Sequence, residues 1–272
     1  MSLKTPQTTT GVKNTMIDST PKPKKGDVIA VWFSCGVASA VAAKLTIKKY
    51  GDFCTIRVLN NPIKEEDSDN LRFKADCEKW LGYPIESVIN EKFPSASAFD
   101  VWEKRKFMSS PHGAPCTNEL KRKARQQWEK QNHHDFLVMG FTSEEVDRYE
   151  NFILTERCNL LPVLIEANLT KQDCAEIIFG AGIEPPNVYK RGYPNANCLG
   201  CVKATSATYW NLVRKQDPEV FKARAEQSRR LGAKLVKYKG DRIFLDELPP
   251  TAKGNSLKSM DFQCGLFCEE HT

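Results

Sequence analysis

A continuous apolar run, Val28-Ile29-Ala30-Val31-Trp32-Phe33, breaks directly into Ser34-Cys35-Gly36-Val37-Ala38-Ser39 and then into an Ala-rich, helix-prone stretch over 40–49. A β-prone run without polar alternation fits a strand covered on both faces, as in a parallel sheet between helices. Short apolar runs recur at 54–59, 85–89, 136–141 and 161–165. Helical patterns separate or follow them at about 69–81, 118–131 and 170–181, the last opened by Thr170 as N-cap with Asp173 three residues on. This alternation predicts an α/β fold built on a doubly wound, mostly parallel sheet. Ligands of such sheets sit beyond the carboxyl ends of the strands.

The flanks differ from this core. Residues 1–25 are rich in Thr, Lys, Ser and Pro without hydrophobic period, so they predict a flexible tail. Residues 26–182 carry the α/β pattern as one domain, and 183–272 are expected to form an irregular, cysteine-bearing C-terminal region packed on the same domain. Within that region a Pro/Gly/Asn/Tyr-rich loop spans 183–200. A charged amphipathic helix follows at about 206–231, broken near Asp217-Pro218 because proline disfavours the α region before it.

No run approaches the roughly 18 apolar residues of a membrane span, and no signal peptide precedes the first strand, so a cytoplasmic protein is expected. In that compartment stable disulfides are rare, and ten cysteines in 272 residues point to metal-binding or catalytic thiols. Forty Lys and Arg against 34 Asp and Glu give +6, which favours anionic partners without naming one.

Three segments carry chemistry. The small residues of the 34–39 loop leave backbone N–H groups free to face an anion, and the new helix adds its positive end, worth roughly 0.3–2 kcal/mol per favourable charge. It is not a Walker A loop, since no Gly-Lys-Ser/Thr follows; an ordinary tight βα turn is the other reading. Asn197-Cys198-Leu199-Gly200-Cys201 places two thiolates where one metal or cluster can take both. Cys116 enters a helix whose N-terminus favours thiolate, whereas Cys54, Cys77, Cys158 and Cys174 fall in apolar or helical patterns and read as buried inert thiols. The third segment, 140–148, follows a buried strand, and its Arg148 is either a bidentate phosphate or sulfate ligand or a surface arginine paired with a nearby carboxylate. Lys121, Arg122, Lys123 and Arg125 crowd one stretch, as a nucleic-acid face or a solvated helix face.

In this order the pieces resemble the adenosine phosphosulfate and phosphoadenosine phosphosulfate (sulfonucleotide) reductase family, within the adenine-nucleotide alpha-hydrolase-like group that also holds the ATP pyrophosphatases. Ser34, Gly36 and Ser39 match the Ser-Gly-Gly-x-Asp-Ser phosphate loop. Leu161-Pro162-Val163-Leu164-Ile165, Thr170-Lys171-Gln172-Asp173, Asn187-Val188-Tyr189, Gly192-Tyr193 and Cys198-x-x-Cys201 continue the match. Gln263-Cys264-Gly265-Leu266 looks like the segment bearing that family's catalytic cysteine. The resemblance covers about 27–270. Departures are specific: Cys35 and Ala38 replace the second Gly and the Asp of the loop, Cys116-Thr117 replaces an adjacent Cys-Cys pair, and Phe267 stands where His is usual, followed by Cys268.

The resemblance implies an adenine nucleotide bound with Ser34, Gly36 and Ser39 at its phosphate or sulfate end and Arg148 helping neutralise it. It implies an iron–sulfur cluster, of the 4Fe-4S type, on Cys116, Cys198 and Cys201, with either Cys268 as fourth ligand or one iron left open. As a reductase, the chain would use Cys264 as nucleophile on an adenylyl phosphosulfate, with Lys121 and the cluster environment supplying positive charge, and a thioredoxin-like thiol donor would release sulfite. The alternative on the same fold is an ATP-dependent, cluster-dependent sulfur transferase acting on nucleic acid. Losing the loop Asp counts against an ATP-plus-magnesium mechanism, which needs hard oxygen ligands. A third reading is a nucleic-acid-binding module stapled by zinc on Cys116, Cys198, Cys201 and Cys264 or Cys268. A homo-oligomer is compatible with all three.

Overall fold

Five short strands, all parallel, form one sheet in the order β3-β2-β1-β4-β5. They are β1 (Val28–Trp32), β2 (Thr55–Asn60), β3 (Ile85–Ser87), β4 (Phe136–Val138) and β5 (Leu160–Leu161). The computed structural model describes residues 20–111, 113–156 and 158–257. The part of the expected N-terminal tail before residue 20 and everything from 258 onward lie outside them. From β1 the chain winds outward to β2 and β3, then crosses back to β4 on the other side. The order therefore reverses between β1 and β4, which is where an open α/β sheet binds ligands.

Helices cover both faces. On one lie α1 (Val37–Tyr50), α2 (Asp69–Leu81) and a later helix, α7 (Lys171–Gly180), with Phe73, Cys77, Cys174 and Ile178 packed against β1 and β2 residues. On the other lie α4 (Lys123–Gln131) and α5 (Val146–Glu156), through Ala124, Trp128, Tyr149 and Phe152. Ile29, Ala30 and Val31 are fully buried between the layers. Burying such an Ile or Val contributes about 1.5–3 kcal/mol, so the apolar run at 28–33 is the fold's central strand for a simple reason: no face of it is left for water.

A third apolar cluster joins α3 (Ala98–Arg105), α8 (Ala207–Gln216), α9 (Pro218–Arg230) and the 188–204 loop, around Trp102, Tyr209 and Trp210. The 206–231 helix is indeed divided at Asp217, with Pro218 opening α9. Thr170 and Asp173 form a reciprocal capping box on α7.

Several expectations need correction. The run at 161–165 is not a strand beyond Leu161: Pro162 has no N–H to extend the ladder, and Val163–Glu166 turns into a short helix, α6. The 118–131 pattern is not a uniform α-helix, because Thr117–Arg122 is π-helical, with the Lys123 N–H reaching back five residues to Asn118 O. Helix α3 was not anticipated, nor was the hairpin of β6 (Val236–Tyr238) and β7 (Asp241–Ile243). Its two-residue turn, Lys239-Gly240, takes positive φ at both positions (50° and 94°), the geometry that matches strand twist. Among the described residues no helix is long and apolar enough to cross a membrane.

Candidate functional site

The 34–39 loop lies at the switch point. Gly36 is extended (φ −103°, ψ 153°) and caps α1, whose first turn holds no acidic residue to compete for an anion. The Ser34 N–H donates to Ser39 Oγ (3.0 Å), and Ser39 Oγ donates to Gly36 O (2.8 Å), so the loop is braced by its own serines. Cys35 adopts φ 57° and is buried. It occupies the place of a loop glycine in the resembled motif, and the left-handed backbone that glycine would supply is kept at a strain of about 1–3 kcal/mol. Asn60, at the end of β2, donates to Phe33 O (2.9 Å) and approaches Cys35 Sγ (3.7 Å). Burial pushes the Cys35 thiol far above its ordinary value, with Glu66 adding to the rise and Lys121 opposing it. Cys35 is therefore a wedge in the loop rather than a nucleophile.

Gly140, just after β4, seals the other side. A Cβ there would stand 2.8 Å from Ser39 N and 3.0 Å from Ser39 Cα. Only glycine lets the two loops of the switch point touch.

The dipeptide Glu65-Glu66 joins this loop to the cysteines. Glu66 lies 3.6 Å from Lys121 Nζ, both side chains 9% exposed, and both charges act on Cys35. Glu65 spends its carboxylate on the start of α3, accepting from Ser97 Oγ (2.7 Å), Ala98 N (2.7 Å) and Phe99 N (3.1 Å). Its carbonyl accepts from Leu199 N (2.9 Å), inside the Cys198-x-x-Cys201 turn. Neither glutamate stands out in the sequence; the one available signal is two adjacent acids at the carboxyl end of a strand.

Cys116, Cys198 and Cys201 all belong to, or pack against, the third apolar cluster, Cys201 being buried and the other two half-buried. The Cys201 N–H donates to the buried Tyr209 hydroxyl (3.0 Å). Gly200 has φ 65°, and a Cβ on it would sit 3.1 Å from Val220 Cγ1 and 3.7 Å from Arg224 Nε. Arg224, on α9, is 4% exposed. Burial lowers its pKa, while Glu65, Cys198, Cys116 and Cys201 act in the opposite direction. One buried cation thus stands within electrostatic reach of all three sulfurs.

Three cysteine sulfurs are a donor set of the kind that holds an iron–sulfur cluster or zinc. Among the described residues no three His, Cys, Asp or Glu side chains form a preformed site for one ion. Arg224 Nε, buried with no hydrogen-bond partner, is a donor aimed at nothing in the protein itself.

Cys264 and Cys268 lie outside the described residues. Cys54, Cys77 and Cys174 are buried in the core and Cys158 half-buried, with burial raising Cys77 and Cys174 to about 12 and Cys158 to about 11. Arg148 is paired with Glu145 (2.5 Å) and stacks over Phe141 (5.2 Å).

The basic stretch is laced with ion pairs, while Arg122 and Lys123 stay partly exposed. Arg122 pairs with Glu156 (3.2 Å), Lys123 with Glu119 (2.8 Å), and buried Arg125 with Glu129 (2.8 Å) and Glu156 (2.5 Å). With Lys121 beside Glu66, every cation of the cluster faces a carboxylate. An open cleft of about 380 Å³ is lined by the residues on either side of Cys116 in sequence, Pro115 and Thr117, with Asn118, Arg105, Arg122 and Lys123 among others. The cations at its rim are partly exposed, while the carboxylates they pair with, Glu119 and Glu156, are nearly buried.

No protein-family model matches the sequence, and no curated protein matches it. Among solved structures the chain is similar to the U34-tRNA thiolase NcsA from Methanococcus maripaludis with its 4Fe-4S cluster, at 13% identity and a TM-score of 0.47. That likeness covers 90% of this chain and 84% of the other. At such distance the activity of one protein does not transfer to another.

Proposed function

We propose that the chain is an adenine-nucleotide-binding sulfur-transfer enzyme in which Cys116, Cys198 and Cys201 hold an iron–sulfur cluster, and that it places sulfur on a nucleotide-activated acceptor carrying phosphates. The observation that carries this reading is the convergence of the three cysteines on Arg224, one dipeptide away from the 34–39 loop. Thr117 is a second support: it is buried where the resembled reductases have the adjacent cysteine, and it offers no thiolate. When bound, a cluster with three protein thiolates supplies an iron able to carry sulfide.

The protein's own residues do the rest. The serines and N–H groups of the loop bind the nucleotide's phosphate end, and Lys121, with Arg148 released from Glu145, offsets its charge. Arg105, Arg122 and Lys123 exchange their rim carboxylates for phosphates of the acceptor in the cleft lined by Pro115 and Thr117. RNA or DNA is the acceptor class that such a cleft and the +6 charge suit best.

A second reading is favoured by the Gln263-Cys264-Gly265-Leu266 segment: reduction of an adenylyl phosphosulfate, with Cys264 taking up the sulfonate and a thiol donor releasing sulfite. Both readings are tested together. Protein purified without oxygen is assayed for iron and acid-labile sulfide, then incubated with ATP, magnesium, sulfide and RNA or DNA. Thiolated nucleoside with ATP-dependent pyrophosphate release supports sulfur transfer. Sulfite from a phosphosulfate, lost in Cys264→Ser, moves the assignment to the reductase. Colourless protein with one stoichiometric zinc overturns both.

A further inference from the structure

We propose that Arg224 is the resident counter-ion of the cluster, its guanidinium donating N–H groups to the sulfurs held by Cys116, Cys198 and Cys201. This rests on the cluster reading above and goes beyond it by assigning a residue outside every motif that led to that reading.

The case begins with how badly Arg224 is otherwise provided for. A buried arginine normally has a carboxylate, because an unpaired buried charge costs several kcal/mol. Arg125 shows the usual solution, with Glu129 and Glu156 both on its guanidinium. Arg224 is as buried but has no carboxylate partner among the described residues. Its hydrogen bond goes to neutral Gln227 Oε1 (3.0 Å), and its guanidinium lies 4.3 Å above the Trp102 ring. Gln227 is itself committed to Phe99 O (3.2 Å) and Glu103 (3.0 Å), which fixes the pair to α3. The nearest acid, Glu65, already caps α3 with both oxygens. Nε is left without an acceptor.

The Cys198-x-x-Cys201 turn stands on the side of Nε. The three cysteines lie within reach of its charge, and Gly200, between two of them, keeps the space beside Nε clear of a Cβ. Thiolates and a cluster's sulfides are anionic acceptors, so a cation that is rigid, planar and dehydrated meets the one kind of partner this pocket lacks. Hydrogen bonds to the sulfurs and net charge are two of the levers that set a cluster's potential. A fixed positive charge favours the reduced, more negative state and holds the thiolates deprotonated for metal binding.

The test compares wild-type protein with Arg224→Gln and Arg224→Lys, all loaded without oxygen and titrated with dithionite under EPR. Arg224→Gln should lower the equilibrium constant for one-electron reduction at least tenfold, about 59 mV. Arg224→Lys, which keeps the charge, should recover more than half of that shift. A role in packing alone would lower melting temperature in both variants and leave the potential where it was, which overturns the proposal. Where dithionite does not reduce the wild-type cluster, bleaching by a chelator is read instead. It should be at least tenfold faster in Arg224→Gln and within threefold of wild type in Arg224→Lys; equal rates in all three overturn the assignment. Should Arg224→Gln not fold, Arg224→Met, which also removes the charge, is read in its place, and a potential and bleaching rate equal to wild type have the same consequence. Wild-type protein that binds no cluster fails at the earlier step and takes the functional reading with it.

Discussion

Two glycines show how single residues fix this site. Gly140 has a Cβ-sized space that is already filled by the backbone of Ser39, at 2.8 Å and 3.0 Å. Backbone cannot swing aside as a side chain does. Gly140→Ala should therefore destabilise the fold by about 1–3 kcal/mol and, on the proposed function, weaken binding of ATP, because the 34–39 loop must retreat from β4. Urea denaturation and calorimetric titration read the two effects. Gly200→Ala faces a different obstacle, a positive φ of 65° plus Val220 Cγ1 at 3.1 Å. It should leave ATP binding near wild type and lower iron content after reconstitution. If both variants lose both properties equally, the two halves of the site are not separable as described. That a tight turn at 34–39 joins β1 to α1 was legible from the apolar run and the small residues that end it. Gly140 carried the signal of a glycine at a strand end, but which backbone it lets in depends on the switch point, and that is known only once β4 pairs with β1.

At the scale of elements, periodicity found what is amphipathic or uniformly apolar and missed what is held by a few polar contacts. Strand β1, helix α2 and the capped α7 follow from pattern because their stability is burial and a local cap. Helix α3 is only eight residues long, Ala98–Arg105, and adds to its local cap, Ser97 Oγ accepting from the Asp100 N–H, a distant carboxylate, Glu65, at its start. No local pattern reports such a contact. The π-helical turn Thr117–Arg122 is likewise invisible in sequence, since its extra residue changes which side chains face inward. Its Glu119 is 2% exposed and paired with Arg105 and Lys123. Burial raises the Glu119 pKa, but Lys123 and Arg105 outweigh it and hold the carboxyl below its usual range. A depressed carboxylate stabilises the fold above its unfolded pKa of about 4.3, and that contribution is lost as pH falls through the native value. Glu119→Gln should thus cost about 1–3 kcal/mol at pH 7. The gap to wild type should close as pH drops below about 4. Chemical denaturation at pH 7 and at lower pH checks this, and a gap independent of pH would show that the charge of Glu119 is not what the π-turn uses. At the other cap, Thr170→Ala should cost about 1 kcal/mol at any pH where Asp173 is ionised, read in the same experiment.

In the whole molecule one short connection, Glu65-Glu66, touches both the Cys198-x-x-Cys201 turn and Lys121. The 34–39 loop was assigned from a motif and the cysteines from another, with about eighty residues of sequence between Cys116 and Cys198. Neither motif says they meet. They meet because β2 ends at Asn60 and the chain beyond it carries Glu65 against the Cys198-x-x-Cys201 turn and Glu66 against Lys121, five residues past Cys116. Lys121 and Glu66 are both nearly buried, so their interaction is screened far less by water than a surface pair would be. A charge arriving at either end, nucleotide phosphate on one side or cluster on the other, changes the balance felt by this pair. Linkage then requires that cluster loading and nucleotide binding alter each other's affinity by the same factor, with a span of about 5–150-fold for typical coupled sites. Wild-type protein should bind ATP with measurably different affinity in its cluster-free and cluster-loaded forms. Glu66→Gln removes the carboxylate without changing its shape, and the ratio of the two affinities should move toward one. Calorimetry on four samples, wild type and variant with and without cluster, closes the cycle. A ratio that survives Glu66→Gln intact would mean the two sites communicate by another route, or that the proximity of the loop to the cysteines has no energetic consequence.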